Sequence, residues 1–326
     1  MSLRDSHGRT INYLRLSVTD RCNLRCTYCM PPGGIPAVRH GDVLGYGELL
    51  RVAEAAVAIG VEKIRVTGGE PLVRKGIIPF LAQLARIPGL KRLVLTTNGI
   101  LLEEMAGDLR CAGVESLNIS LDSLSPLTFA AITRGGDVRR VVAGIEAAER
   151  AGFPFVKINV VVMRGVNDDE IEEFAALTMD KPWRVRFIEY MPTLRDDNWK
   201  TLAMSGQEVL ERLSRRFSLR PAGREAMAGP ADYYRIDGAS GMVGVITPVS
   251  CHFCHECNRI RVTSTGIAKS CLFASATCDL KPWLAAGNDR SLQDALRSAV
   301  NDKPERHAMG EPDCQHALQP MYQVGG

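Results

Sequence analysis

Short apolar runs rich in β-branched residues alternate with longer stretches in which apolar positions recur every three or four residues. The pattern holds over about the first two thirds of the chain. The short runs lie at 13–18, 63–67, 92–96, 116–120, 156–163 and 184–188, and their length and flanking turn residues predict strands. Between the first two, 48–59 places Leu49, Val52, Ala53, Ala56 and Val57 on one face, which predicts an amphipathic helix. Gly60 is placed to end it. The stretches 101–111 and 138–151 read in the same way, closed by Gly113 and Gly152. Six strands separated by helices predict a parallel sheet covered by helices. Periodicity alone does not choose between an open doubly wound sheet and a barrel.

Composition agrees with an enzyme of one large domain and an extension, or of two domains. The chain has 326 residues, 45% hydrophobic and 24% charged, with a net charge of +3. So small an excess implies no nucleic-acid partner by charge alone, and an anionic ligand must be met by a local basic cluster. Ten cysteines in a chain this long are not a small secreted disulfide scaffold. The first eight residues hold no apolar run of the signal-peptide kind, and no stretch approaches the ~18 apolar residues of a membrane span. A reducing cytosol, where thiolates are available to metal, is the expected compartment.

Three of those cysteines, Cys22, Cys26 and Cys29, stand in the segment Cys-Asn-Leu-Arg-Cys-Thr-Tyr-Cys. Three thiolates in one loop leave one iron of a four-iron cubane without a protein ligand, and an open coordination position marks a catalytic metal site. Unpaired surface thiols or a zinc loop are the plainer readings; zinc more often takes paired Cys-x-x-Cys spacings, which the first gap here does not match. Polar residues follow other strands too: Thr67-Gly-Gly-Glu-Pro71, Thr96-Thr-Asn-Gly99 and Ser120-Leu-Asp122. Each alone reads as a turn. In a barrel, four such segments would share the C-terminal end of the strands, where barrel enzymes place their chemistry. The adjacent glycines of Gly68-Gly69-Glu70-Pro71 would let a ligand approach the backbone closely.

A second set lies in the last third. Cys254-His-Glu-Cys257 is followed by thirteen residues and then Cys271, with a turn at Ser264-Thr265-Gly266 between them. This spacing suits a second open cluster or a zinc site completed by Cys251, His252, His255 or Cys278. Between these cysteines, Arg259 and Arg261 share one face of a strand. They make a solvated face or, as a pair of guanidiniums, a receptor for phosphate. Arg15, Lys63, Arg65, Lys157 and Arg186 fall on other strands, and basic groups inside a barrel are costly without anionic partners. A triphosphate would supply that charge.

The first cysteine segment, with Tyr28 before the last cysteine, resembles the radical S-adenosylmethionine superfamily. The resemblance implies an α/β fold, a partial (βα)6 TIM-like barrel with a C-terminal cluster-binding extension, divided at 1–225 and 226–326. It also implies that S-adenosylmethionine occupies the open iron and is cleaved to a 5′-deoxyadenosyl radical. By the same resemblance Tyr28, Gly69, Ser120 and Met191 contact S-adenosylmethionine. Met191 rests on this alone, since a lone Met is more often core.

Taken with Arg186-Phe-Ile-Glu-Tyr-Met-Pro192, Phe253-Cys-His-Glu-Cys-Asn-Arg-Ile-Arg261, Cys271-Leu-Phe273 and a terminal Gly325-Gly326, the chain resembles the GTP 3′,8-cyclases of molybdenum cofactor biosynthesis from about residue 8 onward. That family implies two [4Fe-4S] clusters, held by Cys22, Cys26 and Cys29 and by Cys254, Cys257 and Cys271, the second anchoring the guanine base. The radical takes the hydrogen at C3′ of GTP, and C3′ then bonds C8. Arg15, Arg65, Thr96, Lys157, Arg259, Ile260 and Arg261 match positions around GTP, with Thr96 and Lys157 close enough to serve either ligand. Gly325 and Gly326 match a tail that reaches the active site, though a terminal Gly-Gly by itself reads as an unstructured end. Expected partners are a low-potential electron donor of flavodoxin or ferredoxin type and, next in the pathway, cyclic pyranopterin monophosphate synthase. Neither membrane nor nucleic acid is expected, and the chain is a monomer or homodimer.

Cys251, Cys278 and Cys314 exceed the expected ligands, and Cys251 lies close enough to Cys254 to compete with it. Cys111 falls on a helical face where burial is expected. The polar segment 193–205, with Trp199, is expected to be a loop over the barrel mouth. Two other classes fit parts of the pattern: a twin-cluster enzyme that modifies a peptide, and a non-catalytic iron–sulfur or zinc protein that senses nucleotides.

Overall fold

A computed structural model describes residues 2–34, 38–191, 199–223, 229–274, 278–307, 309 and 321. Gly325, Gly326 and Cys314 lie outside the described residues.

All six predicted strands form, within a residue or two of the expected limits: β1 Tyr13–Ser17, β2 Lys63–Thr67, β3 Arg92–Thr97, β4 Ser116–Ser120, β5 Val156–Val162 and β6 Arg184–Glu189. They lie side by side in chain order, each parallel to the next. The crossovers are helices: α1 Tyr46–Ala58, α2 Ile77–Ala85, α3 Leu102–Cys111, α4 Pro126–Thr133, α5 Val138–Arg150 and α6 Ile171–Asp180. The amide of Gly45 donates to the Glu48 carboxylate at the start of α1 (2.7 Å). Gly60 and Gly113 follow α1 and α3 with φ of 116° and 89°, so each turns the chain where an L side chain would be strained.

Later strands extend this sheet at both edges. β9 (Met242–Ile246) runs parallel to β6 and carries β8 (Asp232–Ile236) and β7 (Leu219–Pro221). At the other edge β10 (Arg259–Val262) lies parallel to β1 and carries β11 (Ile267–Lys269) and β12 (Cys278–Asp279). Among the described residues twelve strands make one sheet that does not close on itself: a partial barrel, as the resemblance implies. The turn at Ser264–Gly266 joins β10 to β11 as a hairpin, with Gly266 at φ 85°.

Two expectations are corrected. Within 193–205, residues Trp199–Leu202 form a short helix, α7, and Ser205 caps α8 (Gly206–Ser214) by accepting from the Glu208 amide. Trp199 and Leu202 pack on Ile132, Met163 and Tyr190, and residues 193–198 lie outside the described residues. Cys111, the last residue of α3, is exposed, because the apolar stripe of that helix runs through Leu102, Ala106 and Leu109 instead. Among the described residues no helix is long and apolar enough to cross a membrane. Two more helices, α9 (Lys281–Ala285) and α10 (Asp289–Asn301), follow β12, and α10 packs on α1.

Strand parity divides the molecule into core and cavity. Leu14 and Leu16 on β1, Ile64 and Val66 on β2, and Ile158, Val160 and Val162 on β5 are all at most 1% exposed and join the main core. The alternate positions read Tyr13 and Arg15, Lys63, Arg65 and Thr67, and Lys157, Asn159 and Val161. A parallel sheet buried on both faces is normally apolar on both. Here the inner row is polar and basic, and it surrounds a site.

Candidate active site

The first cysteine loop follows β1. Arg25 and Thr27 donate their amides to the carbonyls of Thr133 and Ile132 at the end of α4 (3.1 and 2.9 Å). The Arg134 guanidinium donates to the carbonyls of Arg25 and Met30 (both 2.9 Å). The Cys29 and Met30 amides turn back on the Cys26 carbonyl (both 3.0 Å). Burial pushes the Cys22 thiol up to about 11, and burial with Asp122 and the other thiols pushes Cys26 well up. Both sulfurs must give up a proton to bind a metal, so metal binding here releases protons.

Gly68 and Gly69 serve a purpose other than ligand approach alone. A Cβ on Gly68 would lie 2.5 Å from the Thr19 carbonyl oxygen, and one on Gly69 2.4 Å from that of Arg21. The Gly69 and Glu70 amides donate to the carbonyls of Thr19 and Arg21 (2.7 and 2.8 Å). The two glycines thus let the turn after β2 lie flat on the backbone that leads into Cys22. Glu70 ties in the turn after β3: its carboxylate accepts from Thr97 Oγ1 (2.9 Å) and the Asn98 amide (2.6 Å), and burial pushes it up to about 7. Asn98 in turn donates to Asn23 Oδ1 (2.7 Å). From the other side, the Tyr28 hydroxyl donates to Asp122 Oδ2 (2.7 Å), whose other oxygen accepts from the Val161 amide (2.8 Å). Burial pushes Asp122 up to about 6 against these hydrogen bonds.

The second cysteine segment packs at the same edge of the sheet but at the opposite end of the strands, since Cys257 precedes β10, which runs parallel to β1. Cys254 begins a one-turn helix, Cys257 leads into β10, and Cys271 follows β11 after Ser270. Burial, the largest influence on Cys257, raises it, but Arg259 and Lys303 together outweigh burial and draw it down to about 6. Cys251 is exposed, Cys278 packs against the core, and neither lines the cavity. Among the described residues no three Cys, His, Asp or Glu side chains close to the spacing of one ion. Tetrahedral zinc needs its sulfurs ~3.8 Å apart, whereas a cubane holds its cysteines at separate corners.

One cavity receives both cysteine trios. Its walls include Cys22, Cys26, Cys29, Cys254, Cys257 and Cys271, with Tyr28, Gly69, Thr96, Ser120 and Met191 between them. Arg15, Arg65, Arg186, Arg259 and Arg261 also line it. Register explains their grouping: Arg15 is paired across the sheet with Arg261 on one side and Arg65 on the other. Burial holds Arg15 well below the usual guanidinium range, with Arg261 and Arg65 adding to the effect. Burial, with Arg259, also brings Arg261 down to about 10. Buried atoms of this wall have no partner: Arg15 Nε, Arg65 Nε, Arg186 Nε, Thr96 Oγ1 and Asn159 Oδ1. Such a set fits a large, polar, anionic occupant.

Two expected residues stand elsewhere. Lys157 faces the barrel interior one pair below Asn159, beside Arg186, Lys63 and Arg65, but does not line the cavity. Ile260, 2% exposed, points into the core between its two arginines. Asn159 and Asp122 went unpredicted as site residues; Asn159 shares the inward parity of Lys157, a signal present in the sequence. Lys303 and His307, also on the cavity wall, lie after α10 where no pattern marks them.

A parallel βα sheet with an open cysteine trio after its first strand and a Gly-Gly-Glu-Pro turn after its second defines the radical S-adenosylmethionine class, and residues 16–178 match the Radical SAM superfamily. Residues 183–309 match Molybdenum Cofactor Synthesis C. The GTP 3′,8-cyclase of Geobacter sulfurreducens is 60% identical over all of both chains, and that of Peptoclostridium acidaminophilum 46% over 99% of this chain and 98% of the relative. The chain belongs to the GTP 3′,8-cyclase family. Solved structures share the fold at low identity. Native anSMEcpe with bound AdoMet is 16% identical with a TM-score of 0.61, covering 90% of this chain and 81% of that one. Streptococcus suis SuiB bound to S-adenosylmethionine is 14% identical with a TM-score of 0.58, covering 91% and 66%.

Proposed function

We infer that this protein converts GTP to (8S)-3′,8-cyclo-7,8-dihydroguanosine 5′-triphosphate, the first step of molybdenum cofactor biosynthesis. The observation that carries the reading is that one cavity is lined by both cysteine trios and five arginines. Cys22, Cys26 and Cys29 hold one [4Fe-4S] cluster, and Cys254, Cys257 and Cys271 a second that receives the guanine. When bound, the first cluster and S-adenosylmethionine supply a 5′-deoxyadenosyl radical that takes the hydrogen from C3′ of GTP.

The chain's own residues bind and orient. Gly69 and Ser120 hold the methionine part of S-adenosylmethionine, Met191 lies beside its adenine, and Tyr28 completes the site. Arg15, Arg65, Arg259 and Arg261 bind GTP through its triphosphate, and Ile260, its side chain in the core, contributes only its backbone. Thr96 completes that site from the cavity wall, Lys157 adds positive charge from the inward position below it, and Gly325 and Gly326 are needed for turnover. Arg186 and Asn159, with unpartnered buried atoms on the same wall, join them. Confining both ligands in one walled space keeps water from the reactive carbon. Electrons come from a low-potential carrier of flavodoxin or ferredoxin type in a reducing cytosol, and cyclic pyranopterin monophosphate synthase takes the product.

Reduced, anaerobically reconstituted protein with S-adenosylmethionine is expected to form 5′-deoxyadenosine when GTP is present and little without it. A peptide-modifying enzyme would ignore GTP, and a nucleotide sensor would form none.

Lys157 gives a pH signature. Burial, then Arg186, Lys63, Arg65 and Arg184, push its ammonium down to about 6. At pH 7.5 the free protein therefore holds Lys157 neutral, and a bound triphosphate draws a proton onto it. GTP binding takes up a proton above pH 6, and affinity falls as pH rises from 7.5 to 9, by up to about tenfold per pH unit for one obligatory proton. Calorimetry in two buffers of different ionisation enthalpy measures that uptake, and Lys157→Met abolishes it near neutrality. The empty protein gains stability from about pH 6 towards 10.5, the window in which only the unfolded chain keeps that proton.

A further inference from the structure

We propose that Lys303 is a positioning and charge-compensating residue for the second cysteine trio, which raises the reduction potential of the cluster held there and slows its loss. The proposal rests on reading that trio as a cluster site.

Lys303 is 4% exposed and lies two residues beyond α10, far in sequence from the cysteine motif. Its ammonium donates to the Arg259 carbonyl at 2.9 Å and to the Ser270 carbonyl at 2.5 Å. Arg259 stands two residues after Cys257, and Ser270 immediately before Cys271. One cation therefore fixes the backbone beside two of the three sulfurs. The ammonium also reaches the Cys257 side chain and faces the cavity. The third sulfur is held in a parallel way. Arg9 donates to the Cys254 carbonyl (2.7 Å) and also to those of Pro304 and Glu305 (2.7 and 2.8 Å), while its Nε meets Asp5 (2.6 Å). The segment that carries Lys303 is thus pinned to the loop it serves.

The chemistry separates Lys303 from Arg9. Arg9 is neutralised by the Asp5 carboxylate and does not line the cavity. The acceptors of Lys303 are carbonyls, which bear no net charge, and the anions it meets are the cysteine sulfurs once they bind iron. A buried ammonium beside thiolates stabilises the more negative, reduced state of a cluster.

The test uses the full chain with Cys22, Cys26 and Cys29 replaced by alanine, so that only the second trio loads, with about four irons. In that background Lys303→Met is expected to lower the midpoint potential, followed by electron paramagnetic resonance, and to speed iron release to a chelator by about 10–100-fold. Lys303→Arg, which keeps the charge, is expected to stay near the parent in potential. A Lys303→Met protein with the parent's potential and release rate overturns the proposal. So does a Lys303→Arg protein shifted as far as Lys303→Met, which would leave only a packing role. A parent chain that loads no iron overturns the cluster reading itself, and shows this before Lys303 is changed.

Discussion

Cys26→Ala is expected to abolish cleavage of S-adenosylmethionine and to halve the iron bound per chain, with the fold retained. Cys26 sits at the centre of its loop. Its carbonyl receives the amides of Cys29 and Met30, so the turn keeps its shape when the sulfur is removed. The sulfur itself has no substitute. Cys22 and Cys29 alone would leave two irons without protein ligands, and the neighbouring acceptors, Asp122 and Glu70, are already taken by Tyr28, Val161, Thr97 and Asn98. The second trio, at the opposite end of the strands, is expected to keep its own iron. Iron analysis and 5′-deoxyadenosine formation on the same sample check both halves. Full turnover in Cys26→Ala would remove this loop from the chemistry.

Arg65→Gln is expected to weaken GTP binding by about 10²–10³-fold, the usual cost of removing one partner from a buried charge pair, and at the same time to raise the melting temperature of the empty protein. The two effects have one cause. Burial, the largest influence, depresses the Arg65 guanidinium, and Arg186 and Arg259 add to it. Its Nε is buried without a partner. Without an anion this charge is a liability, and its removal relieves repulsion; with a triphosphate it becomes a contact. Calorimetric affinity and thermal melting of the empty protein should therefore move in opposite directions. Lost binding with a lowered melting temperature would instead mark Arg65 as structural.

Much of this arrangement is written in strand periodicity. The six strands and the glycines closing α1, α3 and α5 follow from local pattern, because helical and strand periods differ and a positive φ favours Gly. The inward row of Arg15, Lys63, Arg65 and Lys157 is legible too, since side chains alternate along a strand. What the sequence does not carry is register between distant strands. The pairing of β10 with β1 places Arg261 beside Arg15, and it joins segments about 245 residues apart. Sheet closure, left open by periodicity, is decided by the same long-range pairing. Glycine chemistry was half legible: Gly68 and Gly69 do mark a close approach, but of one loop to another. Arg9 and Lys303 act through contacts that cross the fold, and no spacing announces them; Asp122 stands in a marked strand-end segment, but its partner Tyr28 is not written there. Cys111 misled because a helical position alone does not say which face meets the core.

The central claim is that one cavity brings C3′ of GTP to the radical derived from S-adenosylmethionine. The most direct measurement supplies GTP deuterated at C3′ to the reduced protein and determines the mass of the 5′-deoxyadenosine formed. Deoxyadenosine carrying one deuterium is the result this account expects. Deoxyadenosine formed in the presence of that GTP but free of deuterium would contradict it.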